Sequence, residues 1–318
     1  MDTFIVIFLF SAGVILIVKG GDLFVDAAGW IAEASRIPRF VIGATVVSFA
    51  TTLPELIVSL IAAKEGSVGI CTGNAVGSVT ANIGLILGIS IVCIPAAIDR
   101  LQFAVKGALM FLAGFLLFLF ARSGELKIGE SFFLLAVFAV FMAESLREAK
   151  LSRSSDMSTH IKTEKRTAFA NLVKFVLGAA GIVFGADLLV DNGSELARII
   201  GVPEGIIGAT MIAVGTSLPE LVTTITAIAK KQASLSVGNI LGANIIDLAV
   251  ILPICTIASG GSLPIPPQTY LLDLPVCLGI ILAAVIPAIH AGKFRRTQGI
   301  AMLILYAGYT IFLCIGQG

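Results

Sequence analysis

Two near-copies of one acidic, proline-containing segment offer the clearest chemistry in this chain. Residues 43–56 read GATVVSFATTLPEL and residues 208–221 read GATMIAVGTSLPEL, each with a glutamate, Glu55 or Glu220, directly after a Leu-Pro pair. Both glutamates lie within strongly apolar stretches. An ionised carboxylate at the centre of a membrane span costs about 2.5–3.5 kcal/mol on the insertion scale. Because the chain incurs that cost twice at matching places, we expect the two glutamates to serve one ligand.

The proline in each copy predicts a break in the helix that carries the glutamate. Pro54 has no N–H and its ring collides with the carbonyl four residues back, which leaves the Ala50 carbonyl free. Thr51 or Thr52 is placed to cap the helix that restarts at Pro54. The equivalent groups of the second copy are Pro219, the Gly215 carbonyl and the hydroxyls of Thr216 and Ser217. The two breaks therefore offer carboxylates, hydroxyls and backbone carbonyls at membrane depth.

An all-oxygen ligand set favours a hard cation. Calcium takes about 6–8 oxygens in flexible geometry, whereas magnesium prefers an octahedral shell with several waters, so calcium is favoured and magnesium stays open. Transition metals prefer imidazole or thiolate. The two histidines, His160 and His290, lie in predicted loops, and the five cysteines lack metal-ligand spacing.

A second duplicated motif follows each acidic segment. It reads GNxxG at 73–77 and at 238–242, a glycine spacing that allows helices to approach closely. Ser78 and Asn82 share one helix face in the first copy, as Ala243 and Asp247 do in the second. Aspartate in place of asparagine breaks the symmetry and adds one titratable oxygen ligand, for a second cation or for a proton.

The elements that must position these residues are membrane helices. Of the 318 residues, 57% are hydrophobic and only 13% are charged, which indicates a multi-pass membrane protein. The net charge of +1 gives no reason to expect a nucleic-acid partner. We therefore predict an all-α membrane protein with ten transmembrane helices. The predicted spans lie near 3–33, 39–63, 70–95, 103–121, 128–146, 168–197, 205–229, 235–258, 269–289 and 298–315.

The halves of the chain form a repeat. An offset of 165 residues aligns 20–82 with 185–247 without a gap, and 20 of these 63 pairs are identical. Five spans per repeat is an odd number, so the second copy enters the membrane from the opposite side, and the substrate site of such inverted repeats lies at their interface near the midplane. The predicted units are residues 1–146, with the repeated segment at about 43–88, a cytoplasmic linker at 147–167, and residues 168–318, with the segment at about 208–253. Lysine and arginine cluster in alternate loops, so we expect both termini to lie outside a cell membrane.

At these motifs the chain resembles the cation/calcium exchanger superfamily, and most of all its prokaryotic sodium/calcium exchanger branch. Members have two inverted five-helix halves with G(T/S)xLPE-like and GNxxGSN-like segments. The resemblance implies a secondary-active antiporter, without a cofactor, that exchanges calcium for sodium by alternating access. Electrogenic calcium extrusion by a monomer in the lipid bilayer is expected. Gly77 and Gly242 stand where the proton/calcium branch typically has an acidic residue, which favours sodium coupling.

The resemblance also implies roles for single residues. Glu55 and Glu220 would be the central calcium ligands, helped by the backbone carbonyls of Thr51 and Thr216. Sodium would use the hydroxyls of Thr51, Thr52, Ser78, Thr216 and Ser217 and the carbonyls of Ser48 and Ala213. Asn82 and Asp247 would line the middle of the site. The chain departs from the pattern at Ala243, where serine is usual, and at Val79, where asparagine is common. The first change removes an expected sodium ligand and keeps the coupling ion open.

Several alternatives accompany this interpretation. A proton/calcium or potassium-dependent antiporter keeps the same calcium ligands. An intramembrane enzyme needs an asymmetric nucleophile–base pair or a histidine-bound metal, and neither is visible in the predicted spans. A cation channel normally takes its acidic rings from several subunits around an open axis. Lys19 and the acids Asp22, Asp26, Asp187 and Asp191 on the first and sixth spans are interpreted as anchoring or pairing groups, with ion entry as the alternative.

Overall fold

The computed structural model describes residues 3–95, 97–155, 165–201, 215 and 217–316, with side chains for all but 153–155 and 314–316. These residues are almost entirely helical, as expected. The helices are α1 (Thr3–Ser35), α2 (Arg39–Thr51), α3 (Leu53–Lys64), α4 (Val68–Cys93), α5 (Arg100–Phe120), α6 (Ile128–Ser155), α7 (Lys165–Ile199), α8 (Leu218–Ala229), α9 (Ala233–Ala258), α10 (Thr269–Ala291) and α11 (Arg296–Gly316). The helices α6 and α7 extend into the segment predicted as a linker.

Within the described residues, seven helices are long and apolar enough to cross a membrane. The pair α2 and α3, bent by 45° at a short break, makes an eighth candidate span. Each of the ten predicted spans contains a described helix, but α8 is only a short apolar helix that follows residues outside the described ranges. The count of ten spans and the opposite orientation of the two halves stay predictions.

The side chains on the outer surface of the bundle are apolar, as a lipid environment requires. Large hydrophobic residues on α1, α6 and α7 are exposed, among them Phe8, Phe132, Phe133 and Phe184. In contrast, α9 is the most deeply buried of the candidate spans. The helices that carry the GNxxG motifs, α4 and α9, therefore lie towards the centre of the bundle.

The first helix of each half pairs with its counterpart. Among the described residues, α1 makes most of its contacts with α7, and glycines line the contact. A Cβ atom on Gly20 would lie 2.8 Å from the Ile182 nitrogen, and one on Gly178 would lie 2.6 Å from the Phe24 nitrogen. Small residues let the two backbones approach, so α1 and α7 form one tightly joined pair.

Short strands and a bridge join loops at the two ends of α5. At one end β1 (Glu125–Lys127) pairs antiparallel with β2 (Ser262–Pro264), and at the other end Ala97 bridges to Lys293. The Ser262 hydroxyl lies 2.5 Å from Glu125 Oε2. This hydrogen bond, together with Lys127, lowers the pKa of the Glu125 carboxyl. Both loop pairings connect a helix of the first half to one of the second.

Candidate cation site

The predicted helix break is present in the first acidic segment, and the second has the same local geometry. Thr52 has φ −85° and ψ 4°, and Ser217 has φ −88° and ψ 2°. Each helix restarts at the leucine that follows, one residue earlier than predicted, with the proline within its first two positions. A proline tolerated at the start of a helix explains why the chain restarts there.

The capping hydrogen bond predicted at the first break is absent, and among the described residues the matching helix start of the second copy has none either. Thr52 and Ser217 occupy the capping position, but neither side chain accepts a backbone N–H. The Thr52 hydroxyl donates instead to the Ser48 carbonyl at 2.6 Å, a local bond that threonine often makes to the preceding turn. The buried Ser217 hydroxyl has no hydrogen-bond partner among the described residues, which do not include Ala213, the residue that matches Ser48. A hydroxyl that donates its proton keeps both oxygen lone pairs, so the Thr52 oxygen can still bind a cation.

The Ser48 carbonyl, which was predicted as a sodium ligand, already accepts several hydrogen bonds. Besides the Thr52 hydroxyl, the Thr52 backbone N–H donates to it at 3.0 Å and the Thr51 hydroxyl lies 3.4 Å away. A carbonyl has two lone pairs. These hydrogen bonds compete with sodium for the Ser48 carbonyl, whereas the Thr52 hydroxyl, which donates its proton, keeps its own lone pairs for an ion.

Three buried carboxylates lie close together. Glu55 and Glu220 are in the first turns of α3 and α8, and Asp247 lies beyond the GNxxG motif on α9. Glu55, Glu220 and Asp247 are each at most 1% exposed. The carboxyl groups of Glu55 and Glu220 approach each other, with the Thr51 side chain beside Glu220. Asp247 is close enough to interact electrostatically with both glutamates. The structure thus brings together the acids that the two halves of the sequence supply.

These acids have no basic partner among the described residues. None of their six carboxyl oxygens makes a regular hydrogen bond, and the buried Lys106 is paired with Glu148 instead. Burying an unpaired charge is costly. In the described part of the chain, no group of three His, Cys, Asp or Glu side chains is compact enough to hold a metal by itself. A cation here would therefore need hydroxyl and carbonyl oxygens beside the carboxylates.

The side-chain oxygen of Asn82 is available to an ion, because the amide nitrogen already donates a hydrogen bond. Asn82 Nδ2 donates to Asn244 Oδ1 at 3.0 Å, and Asn244 Nδ2 in turn lies 3.6 Å from the Met110 sulfur. The Asn82 oxygen is buried and has no partner in the part of the chain that the structure describes. Each half has a wide helical turn starting at this position, at Asn82–Leu87 and at Asp247–Ile251. Such π turns often mark functional sites, and this pair supports the matching of Asn82 with Asp247.

The remaining predicted ligands divide between described and undescribed residues. The Ser78 hydroxyl is buried and unpartnered, while its counterpart Ala243 is fully buried and supplies no oxygen. Thr216 and Ala213 lie outside the described residues, so their roles stay predictions.

Sequence reasoning assigned no role to the asparagines of the two GNxxG motifs. Asn74 Nδ2 donates to the Glu55 carbonyl at 3.2 Å and to the Ser59 hydroxyl at 2.9 Å. Asn239 Oδ1 accepts a hydrogen bond of 3.2 Å from the Thr51 hydroxyl. The sequence did contain a signal for such a role, because an asparagine recurs at the same position in both copies of the motif.

The acids on the first span are paired, in line with the interpretation that they are pairing groups. Lys230, just after α8, lies 2.8 Å from Asp26 Oδ1 and 3.3 Å from Asp22 Oδ1. The corresponding residue of the first half is Glu65. The ion pair therefore joins α1 to α8, and the first half has no lysine at the position that matches Lys230.

Apolar outer surfaces and a central set of carboxylates, without a basic partner among the described residues, together define a membrane protein with a candidate cation site. The family model described as sodium/calcium exchanger protein matches residues 5–146 and 170–315. The chain therefore belongs to the sodium/calcium exchanger family, as its motifs indicated.

Several relatives are similar over nearly their full length. The sodium/calcium exchanger MaX1 of Methanosarcina acetivorans is 29% identical, covering 95% of this chain and 96% of the relative. The inner membrane protein YrbG of Escherichia coli is 32% identical, covering 96% and 95%. The solved structure of the sodium-calcium exchanger NCX_Mj, soaked with sodium and strontium, has a TM-score of 0.82 at 28% identity, covering 96% and 97%. The similarity thus includes both halves of the fold.

Proposed function

We propose that this protein is a secondary-active antiporter that exchanges calcium for sodium by alternating access and extrudes calcium from the cell. The single observation that carries the proposal is the meeting of Glu55 and Glu220, both fully buried and without a cationic partner among the described residues, at two helix starts of matching geometry. The family and the relatives named above support the choice of ions.

The proposed calcium ligands are the carboxylates of Glu55 and Glu220 with the backbone carbonyls of Thr51 and Thr216. Two carboxylates neutralise a divalent cation, and calcium accepts additional carbonyl oxygens in irregular geometry. Sodium would use the hydroxyl oxygens near the same carboxylates, with Asn82 and Asp247 between them. Calcium and sodium therefore compete for one set of charges.

Competition for buried charges accounts for exchange. An empty site would carry unpaired carboxylates through a low-dielectric centre, which is costly. With ions bound, the site is neutral or nearly so. The conformational change that opens it to the other side of the membrane then costs less free energy. Exchange of three sodium ions for one calcium would move one net charge, coupling transport to voltage at about 2.3 kcal/mol per 100 mV.

The moving element in this proposal is the pair of α1 and α7. Their glycine-lined contact holds them together, and among the described residues their contacts with the remaining helices are fewer. We propose that the pair slides against the other helices to open the site to one side and then to the other. The ion pair of Lys230 with Asp22 and Asp26 would stabilise one position of the pair.

The test is calcium uptake by sodium-loaded liposomes that contain the purified protein. A sodium gradient directed outward should drive uptake, and a potassium diffusion potential, inside positive or inside negative, should change its rate in opposite directions. Glu55→Gln and Glu220→Gln should each abolish uptake, because the neutral amide no longer compensates the calcium charge. Glu65→Gln, at an exposed acid just beyond α3, is the control and should retain the rate.

Other outcomes separate the alternatives. Uptake driven by a pH gradient and indifferent to sodium would favour a proton/calcium antiporter, and a requirement for added potassium would favour a potassium-dependent one. No calcium flux under any gradient would contradict the antiporter proposal.

A further inference from the structure

The side-chain amide of Asn239 reaches from the second half of the chain to a proposed ion ligand in the first. Thr51 Oγ1 donates to Asn239 Oδ1 at 3.2 Å, and both residues are at most 3% exposed. Close packing of α9 on α2 makes this reach possible, since a Cβ atom on the neighbouring Gly238 would lie 2.1 Å from the Phe40 carbonyl oxygen. The contact therefore depends on how the two halves pack.

The equivalent amide of the first half, that of Asn74, donates hydrogen bonds within its own half. Asn74 Nδ2 donates to the Glu55 carbonyl and to the Ser59 hydroxyl, so it anchors the helix of its own half. Within the described ranges, Asn239 Nδ2 has no partner, and neither has the hydroxyl of Thr224, the residue that corresponds to Ser59. Unpaired buried donors cost free energy. The second half thus gives up an anchoring hydrogen bond, while the Asn239 oxygen engages Thr51.

The direction of the Thr51 proton decides whether this hydroxyl can bind a cation. A hydroxyl has one donor proton and two acceptor lone pairs, and it is a cation ligand only when the proton points away from the ion. The other acceptors near this proton, the Ser48 carbonyl and the Glu220 carboxyl, are less suitable. The Ser48 carbonyl is 3.4 Å away and already engaged, and the Glu220 carboxyl is needed for the cation. The Asn239 oxygen takes the proton without using any proposed ligand.

We propose that Asn239 is a positioning residue for ion binding, which holds the Thr51 proton away from the site so that the hydroxyl oxygen faces the cation. The inference rests on the proposed function. Partners of this kind, one shell removed from an ion, orient its ligands and tune affinity. The effect concerns sodium more than calcium, because sodium uses the Thr51 hydroxyl whereas calcium uses the carboxylates and the Thr51 carbonyl.

A double-mutant cycle on ion binding tests the proposal. The four proteins are the wild type, Asn239→Leu, Thr51→Val and the double variant. Half-saturating sodium and calcium concentrations come from the ion-dependent rise in thermal midpoint of purified protein, with choline as the replacing cation. Asn239→Leu should weaken sodium binding about three- to tenfold, the range that corresponds to one hydrogen bond, and calcium binding less. On the Thr51→Val background the same substitution should have no further effect.

The control is Thr223→Val, which removes a buried hydroxyl that has no partner among the described residues. Valine is already the residue at the matching position of the first half, Val58. It should leave both ion affinities unchanged. If Asn239→Leu does not fold, Asn239→Ala replaces it in the cycle.

Four results would overturn the inference. Asn239→Leu with wild-type sodium affinity contradicts it, as does an equal loss of sodium and calcium affinity. A loss that is the same with and without the Thr51 hydroxyl shows a general structural role. A wild type that responds to neither ion contradicts the proposed function itself, and this inference with it.

Discussion

At the scale of single residues, the two halves of the candidate site differ in their hydroxyl oxygens. Ser78 has a hydroxyl that makes no hydrogen bond among the described residues, while its counterpart Ala243 has no hydroxyl. Thr52 and Ser217, at the other matched position, both have one. The second half therefore supplies one hydroxyl oxygen fewer, and we expect the sodium affinity to depend on this difference.

Ala243→Ser should increase sodium affinity, because it restores a hydroxyl at the position that matches Ser78. We expect the half-saturating sodium concentration for calcium uptake to fall about three- to tenfold, equivalent to ~0.7–1.4 kcal/mol. Ser78→Ala in the same liposome assay should raise it. If Ala243→Ser left the sodium dependence unchanged while Ser78→Ala altered it, position 243 would not be part of the sodium site.

At the scale of helices, the close contact between α9 and α2 determines how the site is assembled. A Cβ atom on Gly242 would lie 2.3 Å from the Ala44 carbonyl oxygen, and one on Gly43 would lie 2.2 Å from the Leu235 carbonyl oxygen. Only glycine allows backbones to approach to this degree. This packing places Asn239 beside Thr51 and Asp247 near the two glutamates.

Gly238→Ala should destabilise the protein and disturb the site together. Its methyl group would meet the Phe40 carbonyl oxygen, a backbone atom that cannot rotate away, and overpacking of this kind costs about 1–3 kcal/mol. We expect a lower thermal midpoint in ion-free detergent solution and slower exchange in liposomes. Gly279→Ala on α10, where a Cβ atom has no described neighbour within 4 Å, is the matched control. Equal midpoints for the two variants would show that α9 and α2 separate easily.

At the scale of the whole molecule, the distribution of charge leads to a prediction about orientation in the membrane. The alternation of basic and non-basic loops predicts that both termini lie outside, which places the linker and the Lys230 end of α8 in the cytoplasm. In that orientation the ion pair of Lys230 with Asp22 and Asp26 lies on the cytoplasmic side of the bundle. It would then stabilise α1 in a position that closes this side.

Single cysteines at two exposed positions test the orientation. We expect Glu65→Cys, next to α3, to react with a membrane-impermeant maleimide added to intact cells. Lys150→Cys, on the extension of α6, should react only after the membrane is opened. Both variants are made in a protein whose native cysteines are replaced by alanine or serine, so that labelling reports one position. The reversed pattern would place the termini in the cytoplasm and reverse the proposed direction of each opening.

The sequence by itself determined the chemistry of this protein, because that chemistry depends on local groups. The proline directly before Glu55 and before Glu220 predicts a helix break at each place, and a duplicated buried carboxylate predicts a cation. The family follows from the same motifs. These features require no knowledge of which helices touch.

Only the tertiary structure decided how the oxygens are divided between ions and protein. Thr51 and Asn239 lie 188 residues apart, and Asn82 and Asn244 lie 162 apart. Helix α9 brings both pairs together by packing against α2 and α4. Capping at Thr52 was predicted from local preference, yet the hydroxyl turned to the Ser48 carbonyl instead. A hydroxyl or an amide has several partners of similar energy within reach, so its choice depends on the neighbours that the packed helices supply.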